Sequence, residues 1–191
     1  MIVGVLLAAG AGVRFGGGKL LAPLLEGTPV GVLSARTLRD AVDRTLAVVR
    51  PGEAELTRLL EAEGIEVRPF PGAAEGMGSS LAFGVAAAPE ADGWLVALAD
   101  MPFVRPATAA AVAGLLRCGA FVAAPARAGR RGHPVGFARG LLSELTSLRG
   151  DRGAREILAR HADRITLLDV DDDGILLDID DFSDLSSRRK E

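Results

Sequence analysis

A three-layer α/β domain, with helices on both faces of a mainly parallel sheet, is the fold class this sequence predicts. Three observations carry the prediction. Apolar runs of strand length recur at residues 2–7, 45–49, 66–70, 94–99, 120–124 and 165–170. Helix-like stretches separate them at 30–42, 53–63, 79–88, 107–117 and 153–162. Most of the strand runs are continuously apolar rather than alternating, as expected when both faces of a sheet are covered. Strands and helices in alternation then give crossover connections and three layers.

Each element has a local reason. The opening Met1-Ile2-Val3-Gly4-Val5-Leu6-Leu7 lacks a basic leader region and is broken by glycines and Arg14, so it reads as a buried strand and not as a signal sequence or membrane span. Pro51-Gly52 precedes the second helix and Gly64 follows it, while Pro89 closes the third and Pro106 opens the fourth. Past the last strand run, Asp173-Gly174 lies between two apolar stretches, 165–168 and 175–177, which predicts a C-terminal hairpin. Asp181 is placed to cap a short final helix from Phe182.

Composition narrows the class further. With 191 residues, 49% of them hydrophobic, and a mean hydropathy of +0.28, the chain is long and apolar enough to form one folded domain spanning 1–191. A net charge of -3 argues against nucleic acid as a partner, because the broad basic footprint is missing. The single cysteine, Cys118, excludes an internal disulfide and a thiol-based zinc site, which points to the cytoplasm; at a helix end it reads as a small core residue. No run approaches ~18 uninterrupted apolar residues, so no membrane partner is expected.

Ligands of such sheets sit beyond the carboxyl ends of the strands. After the first strand comes Leu7-Ala8-Ala9-Gly10-Ala11-Gly12-Val13-Arg14-Phe15-Gly16-Gly17-Gly18-Lys19. Its glycines let backbone N–H groups approach an anion, and Arg14 and Lys19 add positive charge, a composition suited to phosphate. Its spacing matches neither familiar phosphate motif. A P-loop would need glycine and a hydroxyl where Val13 and Leu20 stand, and the Gly10, Gly12, Gly16 run is one residue too long for a dinucleotide fingerprint. After the fourth strand, Ala99-Asp100-Met101-Pro102 puts a carboxylate at the same edge, where it would hold Mg²⁺ against a triphosphate.

Two basic clusters follow. Arg127, Arg130, Arg131 and His133 form one, and Asp151, Arg152 and Arg155 the other, and together they predict an anion cradle. His161, at a helix end, reads as a surface or helix-dipole partner. Residues 169–180 obey the spacing of an EF-hand loop, but strand-like flanks argue against calcium. Asp178 and Asp180 share one face of an extended segment, and one of them, Asp180 foremost, is the candidate second metal ligand.

Taken in order, these motifs resemble the MobA-like nucleotidyltransferases, and most closely the molybdenum cofactor cytidylyltransferases. The resemblance rests on Leu7-Ala8-Ala9-Gly10 with Arg14 and Lys19-Leu20-Leu21, on Gly76-Met77-Gly78-Ser79-Ser80-Leu81, on Ala99-Asp100-Met101-Pro102, on Gly132-His133-Pro134, on residues 150–155 and on Asp178-Ile179-Asp180. It implies a Rossmann-like nucleotidyltransferase fold and the transfer of NMP from a nucleoside triphosphate to a phosphate acceptor, with Mg²⁺. For the closest subgroup the nucleotide is CTP and the acceptor a molybdenum-bearing pterin phosphate, which would go on to a molybdenum-dependent oxidoreductase. GTP-using relatives tend to carry a second glycine where this chain has Ala9.

On this reading Arg14, Lys19 and Asp100 are catalytic. Leu7, Ala8, Ala9, Gly10, Gly12, Gly78, Ser79 and Ser80 join Arg14 and Lys19 at the nucleotide, with helix capping an alternative role for the two serines. His133, Arg152 and Arg155 face the acceptor, and Asp100 and Asp180 hold the metal. Two features depart from the family: Asp181-Phe182-Ser183-Asp184 stands where Thr-Pro-Glu-Asp is frequent, and the acidic run 169–173 is unusual.

Overall fold

The computed structural model describes residues 1–10, 12, 15, 17–181 and 184. Strands β1 (Ile2–Ala8), β2 (Arg44–Val49), β3 (Glu66–Pro69), β4 (Gly93–Leu98) and β5 (Val122–Arg127) form where apolar runs predict them, and so does the last, β8 (Ile165–Asp169). Between β5 and β8 lie two more, β6 (Arg130–Arg131) and β7 (Val135–Ala138). The helices are α1 (Val30–Arg39), α2 (Ala54–Ala62), α3 (Met77–Ala86), α4 (Pro106–Arg117), α5 (Leu142–Thr146) and α6 (Arg155–Arg160). Pro106 occupies the first turn of α4, where its missing N–H costs nothing.

The strands form one sheet in the order β3-β2-β1-β4-β7-β5. β1, β2, β3 and β4 are parallel, whereas β7 is antiparallel to both β4 and β5, so β5 runs in the direction of β4 without touching it. β8 lies parallel to β5 on its other edge, and β6 pairs with the end of β5.

Alternate residues of each strand serve two cores. Val3 and Val5 of β1 pack with Leu81 and Val85 of α3, Leu145 of α5 and Ile157 of α6. Ile2, Leu6 and Ala8 face the other way, towards Leu38 of α1, Leu60 of α2 and Val112 of α4. Both helical layers come close to β1 because two side chains are missing. A Cβ on Gly4 would lie 2.8 Å from Leu38, and one on Gly84 of α3 2.6 Å from Val5. Among the described residues no helix is long and apolar enough to cross a membrane.

The C-terminal segment departs from expectation. No hairpin forms at Asp173-Gly174; β8 pairs only with β5, and residues Asp173–Leu176 make a 3₁₀ turn instead. The reason is Asp172, whose buried carboxylate accepts from Gly174 N (3.0 Å), Arg105 N (3.0 Å) and Thr108 Oγ1 (2.7 Å). Those bonds fold the chain onto the start of α4 rather than back on itself. Gly174 is required there, since a Cβ would sit 2.0 Å from Phe103 O. Beyond it Ile179 is fully buried in a small third cluster with Phe15, Leu24 and Val30.

Two smaller points concern single residues. Cys118 is exposed just past the last residue of α4, before the left-handed Gly119, and is not a core residue. Asp181 Oδ1 accepts from Asp184 N (3.2 Å) while Asp184 Oδ2 accepts from Asp181 N (3.0 Å), a reciprocal capping arrangement; the helix from Phe182 lies outside the described residues.

Two substitutions of opposite sign check this account. Asp172→Ala strands three donors around a buried site and is expected to lower stability by about 2–3 kcal/mol. Gly114→Ala, in α4 with open space at its Cβ position, should raise stability by up to about 1 kcal/mol. Urea titration followed by the fluorescence of Trp94, the single and fully buried tryptophan, reads both.

Candidate active site

The carboxyl ends of β1, β2, β3 and β4 share one edge of the sheet, and a cleft of about 500 Å³ opens there. Its floor is the end of β1 and the residues that follow. Leu7, Ala8, Ala9, Gly10, Gly12 and Lys19, all expected at the nucleotide, line it. The loop between them is turned by glycines: Gly12, Gly17 and Gly18 have φ of 55°, 97° and 68°, and Gly12 O accepts from Phe15 N and Gly17 N. Phe15 is buried and anchors the loop, which frees Lys19 to begin a 3₁₀ turn, Lys19–Leu21, facing the cleft. Arg14 lies outside the described residues.

Lys19 reaches across to the end of β4. Its Nζ lies 2.8 Å from Asp100 Oδ2 and 3.7 Å from Asp180 Oδ1. The lysine side chain is 12% exposed, that of Asp100 26% and that of Asp180 40%, so the cluster is partly shielded and its attraction is less screened than at an open surface. Asp100 is held by backbone on both sides. Ala99 O accepts from the buried hydroxyl of Ser34 at 2.9 Å, Ala99 N donates to Leu7 O at 3.1 Å, and Asp100 O accepts from Ile179 N at 2.9 Å. That last bond is what brings Asp180, the residue after Ile179, beside Lys19. Asp178 is exposed.

The serines of α3 divide. The helix begins at Met77, so Ser79 and Ser80 lie inside it and neither caps it. Ser80 lines the cleft and donates to Gly76 O at 3.2 Å. Ser79 is buried and accepts from Gly150 N at 3.2 Å, and Gly78 N donates to Gly150 O at 2.7 Å. A Cβ on Gly78 would come within 2.8 Å of that carbonyl. Gly78 and Ser79 therefore bind the segment before α6 and stand outside the cleft wall.

The expected anion cradle of His133, Arg152 and Arg155 does not assemble on the cleft. Locked to α3 through Gly150, its segment sends Asp151 into the cleft, while Arg152 is 80% exposed and paired with Glu156, and Arg155 is exposed. His133 stands outside the cleft lining, beside a small cavity of about 10 Å³ lined by Ser34, Met101 and Pro134 among others. Its Nδ1 is buried without a hydrogen-bond partner among the described residues. Burial lowers its pKa to about 4, against a raising pull from Asp100 and a further lowering by Arg131. His161, expected as a surface or helix-dipole partner, is mostly covered and has Nε2 2.9 Å from Glu144 Oε1.

Sequence reasoning passed over Arg50 and Glu53, which line the cleft beyond β2. The signal that finds them is position alone, just past a strand's carboxyl end. Among the described residues no three potential metal-ligating side chains cluster, but Asp100 and Asp180 flank a common cation. Two carboxylates match the needs of Mg²⁺, which takes one or two together with phosphate oxygens and water.

Similarity to known proteins follows the same frame. Residues 4–165 match the MobA-like NTP transferase domain. Nicotine blue oxidoreductase of Paenarthrobacter nicotinovorans is 32% identical over 187 residues, covering 94% of this chain and 92% of that protein. The purine catabolism protein PucB of Bacillus subtilis (strain 168) is 31% identical over 192 residues, covering 94% and 91%. Among solved structures, Rv0371c of Mycobacterium tuberculosis H37Rv superposes with a TM-score of 0.85 at 27% identity, covering 100% of this chain and 98% of that one. Its manganese complex gives 0.78 at 26%, covering 97% and 96%.

The buried imidazole predicts a pH dependence. His133 binds its proton less tightly folded than unfolded, so between the unfolded value near 6.5 and about 4 the unfolded chain holds more protons. The stability contributed by neutral His133 is complete above about pH 6.5 and falls, by roughly 2–3 kcal/mol, as pH drops through that window. Urea midpoints measured without divalent ions between pH 7 and 4.5 should show the decline, and His133→Asn should flatten it; equal slopes in both proteins would refute the assignment.

Proposed function

The chain belongs to the MobA-like NTP transferase family, and from that premise we propose that it transfers CMP from CTP to the phosphate of a molybdenum-bearing pterin, releasing pyrophosphate. The observation that carries the reading is the ammonium of Lys19 set between Asp100 and Asp180 at the wall of a cleft floored by the glycine loop. Carboxylates there outweigh cations among the described residues: Asp100, Asp151 and Glu53 line the cleft with Lys19 and Arg50. A triphosphate is accommodated in such a site together with a divalent cation. Asp100 and Asp180 are the residues that would hold it, and a manganese complex of the similar Rv0371c is in keeping with that role. When bound, Mg²⁺ supplies neutralisation of triphosphate charge.

The chain's own residues supply the rest. In the transfer, an acceptor phosphate oxygen bonds to the α-phosphorus as the bond from that phosphorus to the bridging oxygen breaks, and the electron pair leaves with pyrophosphate. Such an oxygen is already anionic and needs no strong base, so positioning and charge stabilisation carry the catalysis. Backbone N–H groups of the glycine loop and the charges of Arg14 and Lys19 serve the triphosphate. Ala9, buried at the cleft floor, favours the cytidine branch by family tendency. Transfer of the product to a molybdenum-dependent oxidoreductase and a cytoplasmic location complete the proposal.

A second reading comes from the oxidoreductase name of the relative at 32% identity: a redox carrier in the same cleft. One experiment separates the two. Purified protein is given Mg²⁺, the pterin phosphate and each of CTP, GTP and ATP, and pyrophosphate is measured; thermal shifts are recorded with the same nucleotides and with NAD. The expected result is release with CTP, lost at least about a hundredfold in Asp100→Ala that remains folded. A folded, fully active Asp100→Ala removes the metal assignment. Preference for GTP moves the specificity to guanylyl transfer, and a shift with NAD alone supports the redox reading.

A further inference from the structure

Lys19 and a divalent cation compete for the same carboxylates. We propose that Lys19 guards the Asp100–Asp180 pair against free metal, and that the cation enters only with the nucleotide, whose phosphates take over the lysine ammonium as it leaves the acids. The inference rests on the transferase reading above and adds to it a reason for the order of binding.

The geometry supplies the argument. Nζ makes a 2.8 Å bond to Asp100 Oδ2 and stands 3.7 Å from Asp180 Oδ1, so a cation held by these two oxygens would compete with it for them. A divalent ion held by both acids would lie within a few ångströms of that ammonium, and the two positive charges would repel across a partly shielded site. The backbone that carries Asp100 is held in place. Asp100 is held through Ala99 O by Ser34 and through its own carbonyl by Ile179 N, and Ile179 is fully buried. The backbone of Lys19 is equally set, at the head of a 3₁₀ turn behind the left-handed Gly18. What can move is the flexible four-carbon stem of the lysine, whose ammonium is a mobile point charge that binds phosphate as readily as carboxylate.

Charge decides the direction of exchange. The ammonium cancels part of the negative charge of the two carboxylates and so weakens their attraction for metal alone. Metal displaces a favourable contact unless the ammonium finds another anion, and the triphosphate provides it. Nucleotide should therefore tighten metal binding, and by linkage metal should tighten nucleotide binding by the same factor.

The test is metal binding without turnover. Mn²⁺ is titrated into the intact protein and free Mn²⁺ is read by electron paramagnetic resonance, with and without a CTP analogue carrying a methylene between the α- and β-phosphorus. In the unaltered protein the analogue should tighten Mn²⁺ at least about fivefold, the low end of ordinary coupling, beyond the Mn²⁺ that the analogue chelates in a protein-free control. Lys19→Met should bind Mn²⁺ alone more tightly than the unaltered protein, bind the analogue more weakly, and lose most of the coupling; Lys19→Arg should keep Mn²⁺ alone weak.

An unaltered protein that binds Mn²⁺ equally well with and without the analogue overturns the proposal without any variant. So does a Lys19→Met that gains no affinity for Mn²⁺ alone. Failure of the underlying reading looks different: Mn²⁺ binding that is indifferent to Asp100→Asn in every protein shows that these carboxylates are not the metal site.

Discussion

Parallel pairing of β1 with β4 is the constraint on which the site depends. Their register sets Leu7 opposite Leu98, and Ala99 N closes the pair on Leu7 O. Two neighbouring strands that point the same way must release their following residues at the same edge. The glycine loop and Asp100 are thereby brought together, although they are separated by some eighty residues of chain, and Lys19 needs only its own length to close the gap. An antiparallel β4 would have carried the carboxylate to the opposite edge. The same pairing explains the apolar character of both strands, since crossover helices cover the sheet on each side.

Around that edge, aspartates of one short segment do three different jobs. Asp171 and Asp173 are 82% and 74% exposed and meet Arg127 at the surface, where ion pairs contribute little. Asp172, between them, is buried with three donors and fixes where the segment turns. Asp180, farther on, reaches Lys19 because Ile179 is pinned beneath it. Burial and the number of converging donors, not residue type, separate a solvated charge from a structural clasp and from a partner of Lys19.

The similar proteins put the limit on fold-level argument. One frame is shared by a protein named an oxidoreductase, another named for purine catabolism and a third crystallised with manganese. The frame determines where a ligand sits, at the carboxyl edge, and the side chains there determine what chemistry follows. In this chain those side chains are a lysine beside two acids and a glycine loop without bulk.

The sequence by itself determined the alternation of strands and helices, the glycine loop, the placement of Asp100 at a strand's carboxyl end and the role of Lys19 as a cation at that edge. These are local facts: hydrophobic period, turn residues and the identity of the residue after a strand are written within a dozen positions. Tertiary structure alone decided the rest. The short β7 is set between β4 and β5, which no local pattern announces, and α5 is a single brief turn beneath the cores. Asp173-Gly174 has the chemistry of a hairpin turn, yet the competing donors of α4 lie more than sixty positions away and hold Asp172 instead. Ser79 looks like a nucleotide contact or a cap until Gly150 arrives to occupy it, and Arg152 and Arg155 point outward for the same reason. Choice among distant partners depends on which groups the fold brings within hydrogen-bond distance, and a linear pattern carries no record of that distance.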